Sequence, residues 1–92
     1  MIKLSQRLQA IADFVPQGAR VADIGTDHGF LPCYLAQKGQ AVKVFACDIN
    51  AQPLALAQKN VMDYGVADVV GTRLGNGLAV IEPGEVDVVT IA

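Results

Sequence analysis

The chain has 92 residues, 52% of them hydrophobic and 17% charged, with a formal net charge of −2. That composition is too apolar and too weakly charged for an intrinsically disordered chain. No apolar stretch approaches the roughly 20 residues needed to cross a bilayer, and a negative balance supplies no general attraction for nucleic acid or an anionic membrane.

The first ten residues, MIKLSQRLQA, lack the apolar core of about 7–15 residues that marks a signal peptide, so a cytoplasmic location and no membrane partner are expected. Cys33 and Cys47 form no CxxC pair, and His28 is the one histidine. These are too few soft ligands for zinc, so no metal is expected and the cysteines read as reduced, partly buried thiols.

Residues 3–15 carry Leu4, Leu8, Ile11, Ala12 and Val15 at helical spacing, with Lys3, Gln6, Arg7, Gln9 and Asp13 on the opposite, solvated face. Pro16 and Gly18 end that helix. A short strand follows at 20–24, then a loop at 25–29. A second helix at 31–38 has Pro32 in its first turn and Gly39 as its stop. The apolar run 42–49 is a second strand. Asn50 caps a third helix that tolerates Pro53 in its first turn and stops at Gly65. Residues 69–74 form a third strand, Gly75, Asn76 and Gly77 a turn, 78–81 a short helical segment, and 86–92 a fourth strand.

Strands alternating with helices predict parallel pairing through crossovers, with strands buried on both faces. The expected class is α/β: a Rossmann-like sheet, the first half of a doubly wound architecture, with four strands and an N-terminal helix. The sequence closes on EVDVVTIA. A buried strand without its neighbour is an unusual domain boundary, so residues 1–92 read as the N-terminal part of a larger domain.

In doubly wound sheets, ligands bind beyond the carboxyl ends of the strands. Three loops fall there: DIGTDHG at 23–29, Asp48 with Ile49 and Asn50, and Gly75 with Asn76 and Gly77. Gly25 and Gly29 allow close backbone approach, and an acid at the end of the second strand suits the hydroxyls of a ribose. On spacing, NAD and S-adenosylmethionine fit equally well. Charge separates them. A pyrophosphate is repelled by carboxylates, and this loop carries both Asp23 and Asp27. S-adenosylmethionine has no phosphate, and its ammonium and sulfonium favour nearby carboxylates. Asn76 then suits an adenine edge.

The strings LSQRL at 4–8, VADIGTDHGFLP at 21–32 and LGNGL at 74–78 resemble the bacterial tRNA (adenine(22)-N1)-methyltransferase family, and the likeness covers essentially the whole chain. The resemblance implies a class I methyltransferase fold using S-adenosylmethionine. It implies that Asp23, Gly25, Asp27 and Gly29 lie along the methionine moiety, that Asp48 holds the ribose, and that Asn76 sits by the adenine. Thr26, His28, Ile49, Gly75 and Gly77 complete the implied cofactor set. The implied target is N1 of an adenine in tRNA. In that family the fourth strand runs into a Gly-Met-Gly-Gly segment and a helical domain follows later; neither is in this sequence.

No residue can be named as catalytic, although Asp27 and His28 are candidates. Other readings remain: a NAD-binding fragment, a methyltransferase for another substrate, or an inactive remnant that binds the cofactor. Only the resemblance selects tRNA.

Overall fold

The computed structural model describes residues 2–92. Helix α1 spans Gln6–Asp13, strand β1 Ala19–Ile24, α2 Phe30–Gln37, β2 Ala41–Asp48, α3 Ala51–Asp63, β3 Val70–Leu74 and β4 Val88–Ile91, with a 3₁₀ turn at Gly77–Val80. The strands form one sheet in the order β3-β2-β1-β4, and every pairing is parallel. The fold is therefore the expected α/β Rossmann-like half-sheet. The chain steps outward from β1 to β2 to β3, then returns to the other side of β1. The gap between β1 and β4 is the point where strand order reverses.

Two elements start two or more residues later than expected. The first helix begins at Gln6 rather than residue 3, because Ser5 is its cap and accepts the Leu8 amide at 3.3 Å. The fourth strand begins at Val88 rather than residue 86. Asp87 just before it is held to β1: its amide donates to the Arg20 carbonyl at 2.8 Å, and its carboxylate meets the Arg20 guanidinium at 2.8 Å. Asn50 stands at the cap position of α3, but its side chain makes no capping hydrogen bond.

Val21, Val44 and Ala46 alternate onto one face of the sheet. They join Ala12 of α1, Leu31, Cys33 and Leu35 of α2 and Val61 of α3 in a single apolar cluster. On the opposite face Ala22, Phe45 and Cys47 are also buried. Burial on both faces thus holds for the central strands but not for β4, whose Ile91 is 72% exposed. β4 is an edge strand, and the packed helices share one side of the sheet. Both cysteines are free and fully buried. Burial pushes each thiol up to about 11, so both are neutral at physiological pH. Among the described residues no helix is long and apolar enough to cross a membrane.

Candidate functional site

The loop from β1 to α2 is wound tightly and pinned on both sides. Gly25 and Gly29 take left-handed φ values of 71° and 74°, and Asp27, at 58°, is the one non-glycine residue with positive φ among those described. Aspartate tolerates that region better than most residues. Here it brings the Asp27 amide to the Asp48 carboxylate at 3.1 Å. The Thr26 amide donates to the Cys47 carbonyl at 2.9 Å, and the His28 carbonyl accepts from the Asn60 amide at 2.8 Å. The loop is thus tied to the end of β2 and to α3.

Gly29 is buried against α3: a side chain there would begin 3.0 Å from the Ala57 Cβ. Gly29→Ala combines that crowding with a strained φ, and a loss of about 1–3 kcal/mol in folding stability is expected. Denaturant unfolding reads this directly; an unchanged midpoint would mean that α2 and α3 do not meet through this glycine. Gly25 is the opposite case. A Cβ built on it meets nothing within 4 Å, so its open side is free for a ligand.

Asp23 is 3% exposed. One carboxylate oxygen accepts the Thr26 hydroxyl at 2.8 Å and the other the Thr90 hydroxyl at 2.6 Å. Burial raises its pKa above the ordinary aspartate value; the two hydroxyl bonds oppose the shift, and the nearby Asp48 charge adds to it. Asp48, also buried, accepts the Asp27 amide on one oxygen and the Asn50 amide, at 2.9 Å, on the other. A carboxylate oxygen has two lone pairs, so each retains capacity for a ligand.

Two cavities meet along this edge of the sheet. The larger, about 250 Å³, lies at the strand-order reversal between the ends of β1 and β4. Asp23, Gly25, Thr26, Asp27 and His28 line it, with Arg7 and Leu8 entering from α1. The smaller, about 180 Å³, is lined by Asp48, Ile49, Gly75, Asn76 and Gly77, and again by Gly25. Gly25 is common to both, which leaves room for one elongated ligand to cross it from one cavity to the other. Of the site candidates, only Gly29 lines neither cavity.

The turn after β3 is shaped by close packing. A Cβ on Gly75 would collide with the Val80 side chain. The Gly75 amide donates to the Asp48 carbonyl at 2.9 Å. Arg73 clamps the segment that follows: its guanidinium reaches the Val80 carbonyl at 2.7 Å and both Glu85 oxygens at 2.6–2.7 Å, and lies 3.9 Å from the Phe45 ring centroid. That pairing, with the Glu82 amide, holds the Glu85 carboxyl at about 2.

The sequence motifs do not point to Thr90, Asn60, Arg73 or Arg7, which the structure brings to the site or to its supports. Thr90 left a trace, a lone hydroxyl in the apolar run VVTI. Asn60 left none. Arg7 lies on the polar face of its helix, and that face meets the mouth of the larger cavity. His28 and Phe30 form an edge-to-face pair there, with ring centroids 5.8 Å apart, and the His28 ring lies 3.6 Å from an Asp27 oxygen.

A methyltransferase-domain family profile matches residues 4–92. The tRNA (adenine(22)-N(1))-methyltransferase of Bacillus subtilis is 43% identical over 91 residues, which is 99% of this chain and 38% of that protein. The crystal structure of the B. subtilis m1A22 tRNA methyltransferase superposes with a TM-score of 0.95 at 41% identity, covering 99% of this chain and 39% of that one. A Streptococcus pneumoniae structure, described as a putative tRNA (m1A22) methyltransferase in complex with S-adenosyl-L-methionine, gives 0.93 at 41% identity, covering 98% and 42%. The chain thus spans about two fifths of the length of these relatives. With an all-parallel sheet whose larger cavity lies at its reversal point, and a profile match running from residue 4 to the last residue, the chain belongs to the methyltransferase-domain family.

Proposed function

We propose that this chain is the cofactor-binding part of an S-adenosylmethionine-dependent methyltransferase acting on N1 of an adenine in tRNA, in the cytoplasm. The observation that carries the reading is the pair of cavities joined at Gly25, with a buried carboxylate in each: Asp23 in the larger, Asp48 in the smaller. That donor set fits the cofactor. Asp23 and Asp27 complement an ammonium and a sulfonium, and Asp48 accepts ribose hydroxyls. The same carboxylates would repel a pyrophosphate, which disfavours a dinucleotide. The relatives supply the substrate class: the 43%-identical B. subtilis protein is a tRNA (adenine(22)-N(1))-methyltransferase.

S-adenosylmethionine bound in this site supplies an electrophilic methyl group. Adenine N1 carries its own lone pair, so the protein's task is alignment rather than creation of a nucleophile. Gly25 leaves room between the cavities for the reactive centre. Asp27 and His28, adjacent at the cavity rim, are the candidates to receive a proton from the exocyclic amine once the ring becomes cationic. A base-paired N1 is out of reach, so the adenine must leave its stack to enter.

The test is methyl transfer by the intact protein from labelled S-adenosylmethionine to a tRNA transcript. Label is expected as 1-methyladenosine at position 22, and a transcript with guanosine there should stay unlabelled. Label on another base or on protein would reassign the substrate. Binding of NAD in place of S-adenosylmethionine would remove the whole reading.

A further inference from the structure

The wall of the smaller cavity that carries Asn76 is not held by burial. No residue of the Gly77–Val80 turn is buried, and Leu78 is 56% exposed. The backbone bonds around it are local: the Ala79 amide donates to the Asn76 carbonyl at 3.1 Å and the Ile81 amide to the Leu78 carbonyl at 3.0 Å. Among the described residues, one hydrogen bond ties Gly77–Val80 to the sheet, from the Arg73 guanidinium to the Val80 carbonyl at 2.7 Å. That guanidinium is fixed in turn. It lies against the Phe45 ring and takes both Glu85 oxygens, and Glu85 also accepts the Glu82 amide at 2.9 Å. Arg73 stands two positions before Gly75, and Val80 packs against Gly75 too closely to admit a Cβ. The bond from Arg73 to Val80 therefore closes a loop over residues 73–80, and the cavity wall, Gly75 to Gly77, is the segment it encloses. Arg73, Val80 and Glu85 do not themselves line the cavity.

Resting on the cofactor reading above, we propose that Arg73 is a positioning residue for base selection: its clamp on Val80 and Glu85 holds the wall so that the Asn76 amide meets the edge of an adenine. An amide side chain presents both a donor and an acceptor. It distinguishes bases only when it is held in register, because hydrogen bonds weaken steeply with distance and angle. The Asn76 side chain has no hydrogen bond among the described residues, so its register is set by its backbone, and the backbone by the clamp. A guanidinium suits this task. Its planar fork grips a carbonyl and a carboxylate together while its face stacks on a ring. A lysine ammonium is a single point of charge and cannot hold both partners in that geometry.

Calorimetric titration of the intact protein tests this with S-adenosylhomocysteine and S-inosylhomocysteine. The two share the amino acid, thioether and ribose, and differ in the base edge, where a carbonyl replaces the amino group. Titrations run well below each variant's unfolding transition keep lost stability out of the reading. The unsubstituted protein is expected to prefer the adenine ligand. Arg73→Met, which keeps an apolar stem over Phe45, should weaken S-adenosylhomocysteine about 10-fold, the worth of one hydrogen bond, and S-inosylhomocysteine much less, so the preference narrows. Arg73→Lys should restore part of it. Combining Arg73→Met with Glu85→Gln should cost no more than Arg73→Met alone, because both act through one clamp. An unchanged preference in Arg73→Met, with or without a fall in stability, would make the clamp purely structural and overturn the assignment. So would additive losses in the double variant, or an unsubstituted protein that binds both ligands equally. If the unsubstituted protein binds neither ligand, the cofactor reading falls, and this assignment with it.

Discussion

Asparagine in place of Asp23 is expected to leave the protein folded, to make it more stable at neutral pH, and to weaken its hold on the cofactor about 10- to 100-fold. The three effects have one cause. Asp23 is buried with both oxygens bonded to threonine hydroxyls. A threonine hydroxyl can donate or accept, so the amide keeps both partners by reversing one bond. Alanine cannot, and it would leave the buried Thr90 and Thr26 hydroxyls without partners, at about 1–3 kcal/mol each. What asparagine removes is the charge. Because burial raises the Asp23 pKa, the folded chain holds that proton more tightly than the unfolded chain. The penalty for ionising it is absent below the ordinary value of 3.8 and grows as pH rises through the raised one. Stability of the unsubstituted protein therefore falls across that window, and Asp23→Asn should flatten the fall. Denaturant midpoints measured from pH 3 to 8 read it, and parallel curves for the two proteins would refute the account. The binding loss should appear with S-adenosylhomocysteine and not with adenosine, because the proposed function puts the amino-acid end in the cavity that Asp23 lines.

Asp48→Ala is expected to divide the ligand differently, weakening adenosine and S-adenosylhomocysteine alike by about 1.5–3 kcal/mol. Asp48 lines the smaller cavity, and on the proposed function its free lone pairs are the acceptors offered to the ribose. It also organises the site, since its oxygens accept the amides of Asp27 and Asn50. On the proposed function alanine removes the ribose acceptor, and it breaks one of the loop's two ties to β2, leaving the Thr26 amide on the Cys47 carbonyl. Asp48→Asn keeps one acceptor oxygen, but its amino group faces an N–H, so an intermediate loss is expected. Unchanged adenosine affinity in Asp48→Ala would remove the ribose role. Together the two substitutions map the ligand's ends: Asp23 controls one, Asp48 both.

Much of this is legible in the amino-acid sequence itself. Local spacing marks each helix and strand, because amphipathic periodicity and Gly, Pro and Asn punctuation are short-range signals. Alternation of strands and helices implies parallel pairing, and parallel pairing implies a ligand edge at the strand carboxyl ends. Asp23, Asp27 and Asp48 could therefore be assigned to one edge, and their charge could be weighed against a phosphate, from sequence alone.

Long-range partnership was not legible. Thr90 meets Asp23 across 67 positions, Asn60 braces His28 across 32, and Arg7 reaches the cavity only because α1 packs beside α2. None of these pairings has a periodic or local signature. The two glycines of the first loop show the same division. Both carry positive φ, yet Gly25 opens onto the cavities while Gly29 is pressed against Ala57. Residue type and spacing settled which elements form and which edge they expose, since those depend on neighbours along the chain. Which side chains share a charge, a hydroxyl or a wall was decided by tertiary packing, since it depends on neighbours in space.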